Sequence, residues 1–185
     1  MTYLNENMNA QIFLTDYASY NNGTQFEFGH WVDLNDHSDA DALNEYIVNH
    51  FLEADEKSPL GYPREEIMIT DCEGFPEQFY SESSMDFEKL YEYLELNDED
   101  RAKVVYHLQD GQDIPYAMDN YEDIDLQLWG GSFGEKVELF EMYYPDAEDS
   151  SNKNGYVSID YDRFISDNFT EITINEIDYL ITNKN

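Results

Sequence analysis

A chain that carries 42 Asp and Glu against only 9 Lys and Arg, a formal charge of −33 at pH 7, must fold against its own electrostatic repulsion. Blocks of like charge usually sit in a solvated tail, but here the net charge is −13 over residues 1–74, −7 over 75–110 and −13 over 111–185. The acids alternate with apolar residues throughout. Of the 185 residues 41% are hydrophobic and 16% aromatic, too apolar for a disordered chain. The carboxylates are therefore mounted on a folded surface. Such a surface repels nucleic acid and anionic membrane and calls for a basic partner. A chain with 16 Asn but six Lys also reads as selected against positive charge.

The single Cys72 forms no internal disulfide. The opening Met1-Thr-Tyr-Leu-Asn-Glu-Asn-Met8 has neither the basic start nor the apolar core of a signal peptide, and no run approaches 18 apolar residues. The cytoplasm is the expected compartment.

The apolar pattern predicts an α+β fold. After a frayed start over residues 1–9, Ala10–Asp16 and Phe26–Val32 read as strands of a hairpin around Tyr20-Asn21-Asn22-Gly23, an Asn-Gly step favouring positive φ. Ser38 and Asp41 approximate a capping box for a helix bearing Leu43, Ile47 and Phe51 at helical spacing. Glu66–Cys72 reads as a third strand. Gly74 and Pro76 mark a boundary between an N-terminal subdomain, residues 10–74, and a central helical one, residues 75–110.

In the central part a helix is expected from Ser83, with Phe87, Leu90, Tyr91 and Leu94 inward, and a second capped by Asn97 and stopped by Gly111. The C-terminal subdomain, residues 111–185, should hold a helix behind the capping box Ser132-Phe-Gly-Glu135, with Phe133, Val137, Phe140 and Tyr144 on one face. A polar loop over 146–155, a short helix over 160–165 and strand over 170–181 complete it.

Chemistry is sparse. His30, His37, His50 and His107 are scattered and lack zinc-site spacing. His37 with Asp39 and Asp41 reads as a helix start rather than a metal clasp. Cys72, with no base beside it, reads as a buried inert thiol. Both calcium-loop candidates fail: the one from Asp119 has Ile124 where Gly is needed, and the one from Ser150 reaches Tyr161 where a bidentate Glu should stand. Gly130, Gly131 and Gly134 lack the Lys and Ser/Thr of a phosphate loop. Forty-two carboxylates make no catalytic pair informative. The expectation is a protein that is not an enzyme and needs no cofactor or metal.

Evenly spread carboxylate can imitate a polynucleotide. B-form DNA carries about one negative charge per 1.7 Å of axis, so 33 charges in line match at most about 56 Å of duplex, about 16 base pairs. Carboxylates on a rigid scaffold would position a DNA-binding groove as phosphates do, without presenting bases. Solubility needs a net charge of only about 2–8 in a small domain. DNA mimicry is thus preferred over general solvation or adaptation to salt.

Specific segments then narrow the reading. Ile12-Phe-Leu-Thr-Asp-Tyr-Ala-Ser-Tyr-Asn-Asn-Gly23 with Gly29-His-Trp-Val-Asp-Leu34, Arg64-Glu-Glu-Ile-Met-Ile-Thr-Asp-Cys-Glu-Gly-Phe-Pro76, and Ile159-Asp-Tyr-Asp-Arg-Phe164 follow one another in an order that resembles the ArdA antirestriction proteins. The resemblance implies an elongated molecule of three small subdomains that dimerises through its C-terminal part and imitates bent B-DNA. It implies, as partner, the specificity and methyltransferase subunits of a type I restriction-modification enzyme, whose inhibition protects phage, plasmid or transposon DNA. The residues expected to stand in for phosphates are Asp33, Asp36, Asp39, Asp41, Glu45, Glu65, Glu66, Glu73, Glu88, Glu92, Glu95, Asp98, Glu99, Asp100, Asp119, Glu122, Asp123, Asp125, Glu148 and Asp149. The alternatives are a mimic aimed at another defence factor such as a CRISPR nuclease, and, in a different class, an acidic calcium-binding, hydrolytic or solubility-adapted protein.

Overall fold

The computed structural model of the chain describes residues 9–145, 159–174 and 176–182. The fold is α+β, with two three-stranded antiparallel sheets and helices between and upon them. The polar loop expected over 146–155, with Glu148 and Asp149, lies outside the described residues, as do residues 1–8 of the expected frayed start.

In the first sheet β1 (Gln11–Asp16) lies between β2 (His30–Asp33) and β3 (Ile67–Glu73). The pairing of β1 with β2 matches the expected strands, but no tight turn joins them. Asp16 accepts the Ser19 N–H at 2.7 Å, and this cap starts α1 (Tyr17–Asn22) directly at the strand end. Gly23, at φ 71°, ends α1 by donating its N–H back to the Ser19 and Tyr20 carbonyls. The Asn-Gly step is thus a helix stop, and a second short helix, α2 (Gln25–Phe28), precedes β2. Gly74 shows a different constraint: a Cβ there would lie 2.3 Å from the Asn9 carbonyl oxygen.

The long helix α3 (Ala40–Lys57) is capped by Asp39, not Ser38, through a 2.8 Å bond from the Ala42 N–H. It buries Leu43, Ile47 and Phe51 as the spacing requires. Helix α4 (Phe87–Glu95) begins later than expected, because Asp86 is its cap while Ser81 and Ser84 bond each other in the turn before it. Its inward residues include Tyr93, 1% exposed and tilted against Phe79, whereas Tyr91 and Leu94 are half-buried. Helix α5 (Asp98–Gln109) has the expected Asn97 cap, with Asp98, Glu99 and Asp100 at its positive end.

Helix α6 (Ile114–Asn120), capped by Asp113 with Pro115 in its first turn, and β4 (Leu126–Leu128) carried no sufficient periodicity to be read beforehand. The Ser132–Glu135 capping box is present and opens α7 (Phe133–Tyr143). The inward face of α7 differs from the expected one: Leu139 is buried, while Phe133 is 70% exposed and Tyr144 50%. Phe140 meets Tyr161 and Phe164 edge-on at the margin, so only Leu139 projects far enough in to close the core. Helix α8 (Tyr161–Asn168) and strands β5 (Phe169–Ile174) and β6 (Ile177–Thr182) follow, giving a second sheet ordered β4-β6-β5.

One hydrophobic cluster runs from Ile12, Leu14 and Val32 through α3, α4 and α5 to Ile174, Tyr179 and Ile181 of the second sheet. The opposite face of that sheet buries Leu180 with Trp129, Leu139, Phe164, Ile165 and Phe169. The alternation of Tyr179, Leu180 and Ile181 between the two clusters is the period-two pattern of a strand buried on both sides.

Candidate partner-binding surface

The expected acids within the described residues lie on the surface: all are exposed except Asp33 and Asp100, which are half-buried. Local structure places them. Asp33 caps the single 3-10 turn Leu34–Asp36, Asp39 caps α3, and Asp41 and Glu45 project from its first turns. Glu88, Glu92 and Glu95 occupy outward positions of α4, and Asp98, Glu99 and Asp100 the start of α5. Asp119 lies on α6, Glu122 and Asp123 on the 3-10 turn Tyr121–Asp123, and Asp125 just before β4.

Tertiary contacts join several of these. The Tyr91 hydroxyl of α4 donates to the Leu34 carbonyl at 2.9 Å, tying α4 to the turn that bears Asp33 and Asp36. Burial, then the charges of Asp39 and Asp33, push the Tyr91 phenol up to about 12. Lys89 is held above its ordinary value first by its bond to Glu92, with Asp119 and Asp86 adding to it, so α6 brings its acid to the same neighbourhood. Glu65 and Glu66 belong elsewhere, beside Tyr17. Glu82, not among the expected residues, accepts from the Tyr17 hydroxyl at 3.0 Å, and that bond raises the Tyr17 pKa. Asp110, also unforeseen, joins Asp123 and Asp125 around a cavity of about 600 Å³ that Tyr106, Tyr116 and Tyr143 help to line. Glu73 faces the outer side of the first sheet with Asp71.

Every Lys and Arg among the described residues is already in an ion pair. Lys57 meets Glu53 at 3.0 Å, Lys89 meets Glu92 at 2.6 Å, Lys103 meets Glu99 at 2.9 Å and Asp100 at 3.3 Å, and Arg101 meets Asp98. Lys136 pairs with Asp162, Arg163 with Asp167, and Arg64 with Asp16 and Asp55. Asp36, Asp39, Asp41, Glu45, Glu88 and Glu95, by contrast, face no base among the described residues. The surface offers a partner carboxylate without competing cation.

Not every acid is on that surface. Asp16 is fully buried, its sequence appearance as one more acid giving no hint of this. It caps α1 and sits 3.7 Å from Arg64, whose side chain is itself fully buried.

The histidines are less scattered than their sequence positions. His30, His37 and His50 gather around Tyr46, with the His30 and His50 rings 4.4 Å apart. His30 Nδ1 and His50 Nε2 both lie within bonding distance of the Phe28 carbonyl, 3.0 and 2.9 Å, and so both donate to it. In the neutral His30 ring, Nε2 is then the acceptor for the Tyr46 hydroxyl. Burial holds the His50 pKa below its ordinary value, against the pull of the Phe28 bond and with help from His30. The unfolded chain therefore takes up this proton first as pH falls below about 6.5, and stability present above that value is lost in the window beneath it. His50→Gln keeps a donor for Phe28 and removes the titration. Between about pH 7.5 and about pH 5.5 its urea midpoint should fall less than that of the unchanged chain; equal falls would remove His50 from the account.

The groups that might have carried other chemistry are occupied. No cluster of three or more His, Cys, Asp or Glu among the described residues is arranged to hold a metal ion. The Gly130 and Ser132 N–H groups, which a phosphate loop would aim at its ligand, both donate to Glu135. Cys72 is half-buried rather than fully buried, and burial with Asp71 and Glu77 raises its pKa, disfavouring the reactive thiolate. No helix among the described residues is long and apolar enough to cross a membrane.

A family model described as antirestriction protein (ArdA) matches residues 12–180. No curated protein and no solved structure matches the chain.

Proposed function

The chain belongs to the ArdA antirestriction family, and from that premise we propose that it inhibits a type I restriction-modification enzyme by occupying the DNA-binding groove of the specificity and methyltransferase subunits. The observation that carries the reading is the pairing of every described base inside the chain while the acids of α3 and the outer face of α4 stay unpaired. A groove built to release counterions from phosphates meets here a rigid array of carboxylates and gains the same electrostatic attraction. The protein acts by occupancy, without turnover or cofactor, in the cytoplasm, and so spares incoming mobile-element DNA.

The subdomains over residues 10–74, 75–110 and 111–185 serve, in this reading, to extend the array along the groove. A homodimer formed through the C-terminal part would lengthen it. Leu128, Phe133, Met142 and Ile177, all exposed on that part, are the apolar surface a second copy would cover. Sedimentation of the purified chain over a range of concentrations should show the dimer, and a monomer throughout would remove this element.

The test of the function is competition. The purified chain should displace a specific DNA duplex from a type I methyltransferase core at low salt. Absence of displacement under those conditions excludes this target.

A further inference from the structure

The outer face of the first sheet carries rings where a purely anionic decoy needs none. The β1–β2 register sets Phe13 opposite Trp31, and the β1–β3 register sets Phe13 opposite Asp71. The next row along the sheet is Asp33, Gln11 and Glu73. Phe13 meets Trp31 edge-on at 5.7 Å between centroids and Phe26 at 6.2 Å. Trp31 is nevertheless 39% exposed and Phe26 75%. These rings are held in place rather than loose: the Thr15 hydroxyl bonds the Gln25 carbonyl at one end of α2, and His30 and His50 bond the Phe28 carbonyl at the other.

Exposed ring faces beside carboxylates, with no base on the same face among the described residues, match one chemistry. A guanidinium stacks on an aromatic face and presents a planar fork of donors to a carboxylate, whereas an ammonium offers a strongly hydrated point charge. The chain uses this combination in its own interior, where the Arg64 guanidinium lies 5.1 Å from the Phe28 ring centroid while bonded to Asp55 at 2.6 Å. We propose that the face formed by Phe26, Trp31 and Phe13, with Asp33, Asp71 and Glu73 at its edge, docks arginine side chains on the basic surface of the protein that the chain inhibits. The inference rests on the decoy reading and adds to it a contact that duplex DNA, with its bases stacked inside, does not make through its phosphates.

Two arms test it. In the first, the full chain is titrated with an oligo-arginine peptide and with an oligo-lysine peptide of equal length, following the protection of Trp31 emission from acrylamide. The peptides carry no ring, so emission comes from this chain alone, and Trp129 is buried and contributes a constant background. Arginine should bind about two- to fivefold more tightly than lysine, the contribution of an exposed cation–ring contact. Phe26→Leu, at a position exposed enough to leave the fold intact, should abolish that preference, and Asp71→Asn should reduce it. Equal affinity for the two peptides, or a preference unchanged in Phe26→Leu, overturns the inference. In the second arm, Phe26→Leu should raise by about two- to fivefold the concentration needed to displace DNA from a type I methyltransferase core. If the unchanged chain displaces DNA and Phe26→Leu does so equally well, this inference fails while the proposed function stands. If the unchanged chain displaces none, the function fails, and the peptide arm alone decides the docking face.

Discussion

Raising the salt concentration from about 50 to about 200 mM should weaken the chain's competition with DNA by about 10³–10⁵-fold if about 6–10 carboxylates replace phosphate contacts in the groove. The dependence arises because the partner's basic groups shed or recover their counterions with each contact made or lost. Neutralising substitutions should act in graded fashion, each reducing the slope of log affinity against log salt by up to about 0.9. They should also be unequal. Asp36→Asn, Asp41→Asn and Glu45→Gln remove charge that no described base offsets, whereas Asp98, Glu99 and Asp100 are already paired with Arg101 and Lys103. The first set should lower affinity more than the corresponding set on α5. A displacement curve insensitive to salt, or a single carboxylate whose loss abolishes inhibition, would contradict a charge array.

Arg64→Met should destabilise the fold by about 3–5 kcal/mol, because it leaves buried negative charge without its partner. Arg64 Nη1 bonds Asp55 at 2.6 Å, Nε bonds the Ser19 hydroxyl at 3.1 Å, and Nη2 bonds the Ser58 carbonyl at 2.9 Å. Asp16, 3.7 Å away, has a buried Oδ2 with no hydrogen-bond partner, so the Arg64 charge is what stabilises it there. Arg64→Lys should recover little, since one ammonium cannot reproduce donors fixed in three directions. Asp16→Asn keeps the acceptor for Ser19 and removes the charge. The double variant Asp16→Asn with Arg64→Met should therefore lose less than the sum of the two single losses. Urea unfolding measures all four chains, and a loss below about 1 kcal/mol in Arg64→Met would show that the pair is not holding these elements together. One base in this acidic chain thus acts in folding, at the junction of α1, the end of α3 and the segment leading into β3.

Features governed by near neighbours could be read along the chain. The Asn97 cap, the Ser132–Glu135 box, and the inward spacing of Leu43, Ile47 and Phe51 depend on residues three or four apart, and the structure reproduces them. The hairpin around Gly23 was misread because the same Asn-Gly step suits a tight turn and a helix stop, and only the Asp16 cap decides between them. Tyr93 was missed for a related reason: it lies off the regular apolar stripe, and Phe79 draws it inward.

For the candidate surface the division is sharper. Excess negative charge, its spread over every part of the chain, and the scarcity of bases follow from composition and order alone. Which acids remain unpaired does not. Asp16 and Asp36 are chemically the same side chain, yet one is sealed beside Arg64 and the other is open to solvent. The gathering of His30, His37 and His50, the seating of Asp110 with Asp123 and Asp125, and the alignment of Trp31 with Phe13 and Asp71 likewise come from strand register and helix packing. Charge is a property of each residue and adds along the chain, whereas position, burial and partnership are properties of pairs far apart in it, and only the packed core sets those.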